Sequence, residues 1–244
     1  MDQAQLIEIF TSFQGEGPYV GQEMTFVRFQ HCALSCRFCD TPESFQSFAE
    51  FRFETAPHRA EFENFPNPVS PDALSNLVAR HQPRVLSLTG GEPLQQSRFI
   101  KSWLASLQGR YRVLLETNGI LSQALGELID WIDVVSMDLK LPSVTGMRAY
   151  WAEHQAFLEI ARRKEVYVKA IVGQDTSHDE LREAIRLVRS IAPDVPFILQ
   201  PVTPNAAVPE SLPESQLQEL FQISAAELPD VRVIPQIHPV LEIL

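Results

Sequence analysis

All three cysteines of this 244-residue chain fall in one short stretch, FQHCALSCRFCDTPESF, at 29–45. Cys32, Cys36 and Cys39 follow the spacing C-x3-C-x2-C, and no fourth cysteine completes a set of four. An odd number excludes a closed disulfide set, and clustered thiols in a reducing compartment more often bind metal or do redox chemistry. A structural zinc site takes four Cys or His ligands, usually as two separated pairs. His31 adjoins Cys32, which makes a clean tetrahedron awkward, and His58, His81, His154, His178 and His238 show no pairing pattern. Three thiolates suit a [4Fe–4S] cluster better, with one iron free of protein ligands, because electron-transfer clusters are closed by four cysteines. An open iron is a coordination site for a substrate or cofactor.

These residues need a frame to hold them. Short apolar, β-branched runs recur along the chain: EMTFVRF, RVLSLTG, YRVLLETNG, DVVSMDLK, VYVKAIVG, FILQPVT and VRVIPQI. Between most of them lie stretches of helical period such as DALSNLVARH, FIKSWLASL, AYWAEHQAFLEIARR and HDELREAIRLVRSI. This alternation predicts βα units and a mainly parallel sheet, either doubly wound or curved towards a barrel. Functional loops in such sheets follow the carboxyl ends of strands. The cysteines follow EMTFVRF, GGEP follows RVLSLT, and LKLPS follows DVVSMD.

Length and balance fit one domain, 1–244, with a sizeable core. The net charge of −11 argues against nucleic acid as a direct partner, since phosphate neutralisation needs basic patches. No stretch approaches a membrane span and MDQAQLIEIF lacks the features of a signal peptide, so a cytoplasmic protein is expected. Residues 44–71, rich in Phe and Pro, break the rhythm and are expected to form an irregular insert packed on the barrel. A lid, a dimer surface or an electron-donor patch are the other readings of that segment.

The C-x3-C-x2-C stretch, with Phe38 before the last cysteine, resembles the signature of the radical S-adenosylmethionine (SAM) superfamily. TGGEP at 89–93 looks like that family's SAM-binding turn. The resemblance implies an incomplete TIM-like (β/α) barrel of the radical SAM type. It also implies that SAM chelates the open iron and is cleaved to a 5′-deoxyadenosyl radical by an electron from the cluster. FTSFQGEGPYVGQEMTFVRFQHC, CRFCDT, ETNG, DLKLPS, LQP and IPQIH occur in the order found in the 7-carboxy-7-deazaguanine synthase family. That resemblance implies a lyase in queuosine and deazapurine biosynthesis. Its substrate is 6-carboxy-5,6,7,8-tetrahydropterin, whose ring contracts with loss of ammonia, assisted by Mg2+.

Roles follow residue by residue from the same resemblance. Cys32, Cys36 and Cys39 would hold the cluster, and the Thr41 hydroxyl, next to Asp40, would hold Mg2+. Magnesium favours oxygen ligands and keeps waters or substrate in its shell; the alternative for Thr41 is a helix cap. Gln14, Gly15, Glu16, Arg28 and Thr89 would contact the substrate. Gln14 and Glu16 suit an amide and amine edge, and Arg28 suits a carboxylate, with a surface ion pair as its alternative. Phe38, Gly91, Asp138, Leu139, Lys140, Gln200, Pro201 and Val202 would face SAM, with Ser143 nearby and Glu116 and Asn118 behind the site. No residue need act as a conventional acid or base. A flavodoxin-type or other reductase and a homodimer complete the expected partners. Two features depart from the pattern: the longer insert, and an ending HPVLEIL in place of an aromatic–glycine terminus. The rivals are a glycyl-radical activating enzyme, which shares the cysteine spacing, and a zinc-binding adaptor without catalysis.

Overall fold

The computed structural model describes residues 3–241 and 243. Its strands are β1 (Leu6–Phe13), β2 (Glu23–Phe29), β3 (Glu50–Glu54), β4 (Phe62–Pro66) and β5 (Val85–Gly90), followed by β6 (Arg112–Thr117), β7 (Val134–Leu139), β8 (Glu165–Val172), β9 (Phe197–Pro201) and β10 (Val231–Val233). They form one sheet in the order β10-β9-β8-β7-β6-β5-β2-β1-β3-β4. From β2 through β10 every neighbouring pair is parallel. The strand order never reverses within that stretch, so right-handed crossovers place the helices on one side. This is the winding of an open barrel, and it decides against the doubly wound alternative. The incomplete (β/α) barrel is the architecture observed.

The crossovers carry α1 (Pro71–Val78), α2 (Ser97–Leu107), α3 (Ser122–Leu128), the short α4 (Pro142–Thr145), α5 (Trp151–Ala161), α6 (His178–Ile191) and α7 (Glu214–Ala225). Helix α6 shows why such segments are helical. Ser177 caps it, Asp179 and Glu180 occupy the first turn, and Arg189 lies in the last, as the helix dipole favours. Leu181, Ala184, Ile185, Leu187, Val188 and Ile191 are buried, the spacing of a stripe facing the sheet. These stripes close a large core between helices and sheet, with Trp103, Phe157 and Phe197 fully buried in it. Among the described residues no helix is long and apolar enough to cross a membrane.

The insert is more regular than its composition implies. In place of an irregular segment, β3 and β4 form an antiparallel hairpin that joins the sheet through a parallel β1–β3 contact. EFRFE alternates with period two, which buries Phe51 and Phe53 on one face. A fixed neutral histidine ties the hairpin to β1. Thr11 Oγ1 lies 2.7 Å from His81 Nδ1, and His81 Nε2 donates to the Glu54 carbonyl at 2.9 Å.

Candidate active site

Side chains alternate across a strand, so the inward set can be followed strand by strand. Phe10, Met24, Phe26, Leu114, Val134, Tyr167 and Ile198 form a separate apolar cluster inside the barrel. Two or four residues on in β2, β6, β7, β8 and β9, the same faces present Arg28, Glu116, Asp138, Lys169 and Gln200. These polar ends line a cleft of about 420 Å³. The apolar layer closes the floor, and the polar layer above it carries the chemistry.

The cysteine loop forms one wall. Cys32, Cys36 and Cys39 are free thiols, each half-buried, and all three line the cleft. The loop is pinned at several points. Cys39 N–H donates to the Cys36 carbonyl, Arg37 N–H donates to the Thr145 carbonyl, and the Arg37 guanidinium reaches Asp175 at 2.8 Å. Burial raises the Cys32 and Cys39 thiols, so thiolates here require a metal or comparable positive charge. The donor set fits an iron–sulfur cluster, in which each thiolate takes its own iron, so the sulfurs need not meet at one point. Among the described residues no three Cys, His, Asp or Glu side chains gather around a single ion, as zinc would need.

The GGEP turn packs against this loop so closely that one position must be glycine. A Cβ on Gly91 would lie 2.2 Å from the His31 carbonyl oxygen. Gly91 N–H donates to the Phe29 carbonyl and Glu92 N–H to the His31 carbonyl, fixing the approach. Glu92 is fully buried, and its carboxyl accepts from Leu94 N, Thr117 Oγ1 and Asn118 N at 2.8–3.1 Å. Burial pushes its carboxyl up to about 7 against the pull of those donors. Glu92 thereby latches the GGEP turn to the ETNG turn.

A polar network occupies the opposite wall. Gln14 Nε2 donates to Glu116 Oε1 at 2.8 Å, and Glu116 also accepts from Ser87 and Thr89. Glu16 pairs with Lys169, and Gln236 Nε2 donates to both Glu16 and Asp40. Asp138 accepts from Lys140 at 2.8 Å and lies 3.0 Å from Lys169. Burial would raise Asp138, but the two lysines hold it at about 2. The Lys140 ammonium sits 5.4 Å from the centre of the Phe38 ring, within cation–π range. Arg28 pairs through Nε with Glu8 at 2.9 Å, and its Nη1 lies 3.4 Å from Thr41 Oγ1. Glu8 also holds Arg52 of the hairpin. Thr41 begins a 3-10 turn, yet its side chain makes no capping bond, which removes the cap as an account of its hydroxyl. Among the described residues, Asn118 Nδ2 and Gln200 Oε1 are buried in the cleft lining without a partner, and Asp138 Oδ1 has only its ion contact with Lys169. The first two are suited to a polar ligand such as SAM.

The residues singled out from sequence gather in this cleft with two exceptions, Leu139 and Ser143. Leu139 is fully buried in the outer core and does not line it, because its neighbour Asp138 takes the inward face of β7. Ser143 also stands outside the lining, where its carbonyl and hydroxyl brace Arg37 and Ser177. Glu8, Arg52 and Lys169 line the cleft without having been anticipated, and so do Gln236 and His238 of the IPQIH motif, to which no individual role had been given. Lys169 left a signal, a lone cation inside the apolar run VYVKAIV. The last turn, α8 (His238–Leu241), lies beside Gly15, where a Cβ would come 2.5 Å from His238 Nδ1.

His154 of α5 supports the cleft from behind. Its Nε2 accepts from Lys140 N at 3.2 Å, so Nδ1 carries the proton donated to the Gly119 carbonyl. Burial lowers this imidazole to about 4. The neutral form is favoured in the folded state, so the stability it supports is present above about pH 6.5 and is lost as pH falls through 4. Wild type should lose about 3 kcal/mol from this group between pH 7 and pH 4. Urea denaturation at both pH values tests this against His154→Gln, whose loss over the same window should be smaller. Equal losses would remove His154 from the acid response.

Comparison with known proteins agrees with this geometry. Residues 26–193 match the Radical SAM superfamily. The 7-carboxy-7-deazaguanine synthase of Geobacter sulfurreducens is 39% identical, over 96% of this chain and 96% of that one. The one from Methanopyrus kandleri is 32% identical, over 97% of this chain and 93% of its own. In fold alone, the chain resembles the crystal structure of QueE from Escherichia coli, with a TM-score of 0.62 at 18% identity over 96% and 94% of the two chains. With these relatives, the thiol-lined cleft of an open barrel has one explanation: the chain belongs to the radical SAM superfamily and, within it, to the 7-carboxy-7-deazaguanine synthase family.

Proposed function

We propose that this radical SAM enzyme converts 6-carboxy-5,6,7,8-tetrahydropterin to 7-carboxy-7-deazaguanine with loss of ammonia, and that the cleft residues divide the work by position. The observation that carries the assignment of roles is the lining of a single cleft by three thiols, the Gly91 turn and the Gln14–Glu16 turn. Cys32, Cys36 and Cys39 would hold the cluster, which when bound supplies the electron for SAM cleavage. Gly91, Phe38, Asp138, Lys140, Gln200, Pro201 and Val202 would border SAM. Gln14 and Glu16 would read the amide and amine edge of the pterin, and Thr89 would orient Glu116 beside it. The apolar layer below excludes water from the reacting face. Anaerobic turnover with the carboxylated pterin, SAM and Mg2+, with the product read by mass, tests the proposal. Activation of a glycyl-radical protein with no change in the pterin would overturn it.

Arg28 and Thr41 are adjacent, so one substrate carboxylate can meet a guanidinium and a metal-binding hydroxyl together. This supports Mg2+ at Thr41, with the substrate and waters completing its shell. Thr41→Val keeps the shape and removes the oxygen ligand. Turnover by the variant should respond to Mg2+ at least about tenfold less than wild type, while iron content and SAM binding stay unchanged. A wild-type magnesium curve in Thr41→Val would defeat the assignment. The reductase partner, the homodimer and the cytoplasmic setting belong to the same proposal. Light scattering of the purified chain and reduction of its cluster by flavodoxin test the first two.

A further inference from the structure

Lys169 stands in the middle of β8 with its side chain 5% exposed. Its ammonium meets Glu16 and lies 3.0 Å from Asp138 Oδ1. The two carboxylates come from distant parts of the sheet. Asp138 lies near the carboxyl end of the adjacent strand β7, whereas Glu16 follows β1, which is separated from β8 by β7, β6, β5 and β2. The Lys169–Glu16 contact therefore crosses the barrel interior. A buried ammonium is costly unless carboxylates surround it. Burial alone would lower this amine, but Asp138 and Glu16 hold it well above its ordinary value, so it stays charged at any working pH. The remaining partners are fixed as well: Asp138 Oδ2 accepts from Lys140, and Glu16 Oε1 accepts from Gln236.

We propose that Lys169 is a positioning residue that couples the two halves of the site, so that SAM affinity depends on Glu16 although Glu16 belongs to the substrate half. This rests on the reading above, which puts SAM beside Asp138 and the pterin beside Glu16. One ammonium is shared by two carboxylates. When Glu16 loses its charge, Lys169 draws more strongly on Asp138, the other carboxylate in direct contact with it, and Asp138 becomes a weaker and differently oriented acceptor for SAM. Without Lys169, nothing carries the change from one carboxylate to the other.

The test is SAM binding by equilibrium dialysis to anaerobically reconstituted protein, with no pterin present. Glu16→Gln should weaken SAM binding at least about fivefold, the lower range of coupling between sites. Lys169→Met should weaken it too, and Lys169→Met/Glu16→Gln should be no weaker than Lys169→Met alone. A merely structural role would lower thermal stability and give additive losses in the double variant. Additive losses would overturn the proposal. So would unchanged SAM affinity in Glu16→Gln, a result that stands even if Lys169→Met does not fold. An intact cross-effect in a protein that fails to turn over the pterin would support the coupling and overturn the substrate reading alone.

Discussion

Replacing any one of Cys32, Cys36 or Cys39 with alanine is expected to abolish SAM cleavage while leaving a folded chain. The chemistry and the packing point in different directions here, which makes the result informative. No spare cysteine exists to replace a lost ligand. All three thiols are half-buried in a loop outside the main core, so truncation removes little apolar contact. The stability change should stay within about 1 kcal/mol, as for partly exposed positions away from core features. Iron and sulfide content, release of 5′-deoxyadenosine and thermal unfolding measure the two sides separately. Full cleavage in any one variant would rule out the cluster assignment. Stoichiometric zinc in the wild type, with no colour bleached by dithionite after anaerobic reconstitution, would favour the adaptor instead.

Arg28→Ala should weaken pterin binding by about 2–5 kcal/mol, at least about 30-fold in Kd, with little effect on SAM. The structure sharpens this expectation. Arg28 is a partner of Glu8, but only its Nε is used there, and Nη1 is turned towards Thr41. Glu8 keeps Arg52 when Arg28 is removed, so the carboxylate is not left alone and the fold should hold. Arg28→Lys keeps the charge and loses the planar fork, so it should fall between wild type and alanine. Equal pterin affinity in Arg28→Ala and wild type would leave Arg28 as the ion-pair partner of Glu8 and nothing more.

Much of the barrel was legible because parallel strands buried on both sides read as apolar runs, and the helices between them carry their own period. EMTFVRF, RVLSLTG and DVVSMDLK became β2, β5 and β7 for this reason. The hairpin was not legible in the same way. EFRFE does alternate, but a short strand gains its stability from neighbours, and here the neighbour is β1, more than thirty residues earlier. Proline and phenylalanine around it obscured the period further. Leu139 marks a similar limit. The DLK motif is correctly sited at a strand end, yet alternation turns Asp138 inward and sends Leu139 to the outer core.

By itself the sequence determined which groups could do chemistry: the thiol spacing, the Gly-rich turn and the oxygen and guanidinium donors are fixed by residue type and order. It also determined the alternation of strand and helix, through local periods of two and of about 3.6, while the strand order decided between the barrel and the doubly wound sheet. Tertiary structure alone decided which charges meet. Glu16 and Lys169 are 153 positions apart, and Gln236 reaches Glu16 across 220. Those contacts exist because the curved sheet brings β8 opposite the turn after β1, and a curvature summed over many strands is written in no single segment. The pairing was also set by cost, since a buried ammonium needs carboxylates, and Glu16 and Asp138 meet Lys169 in the polar layer that lines the cleft.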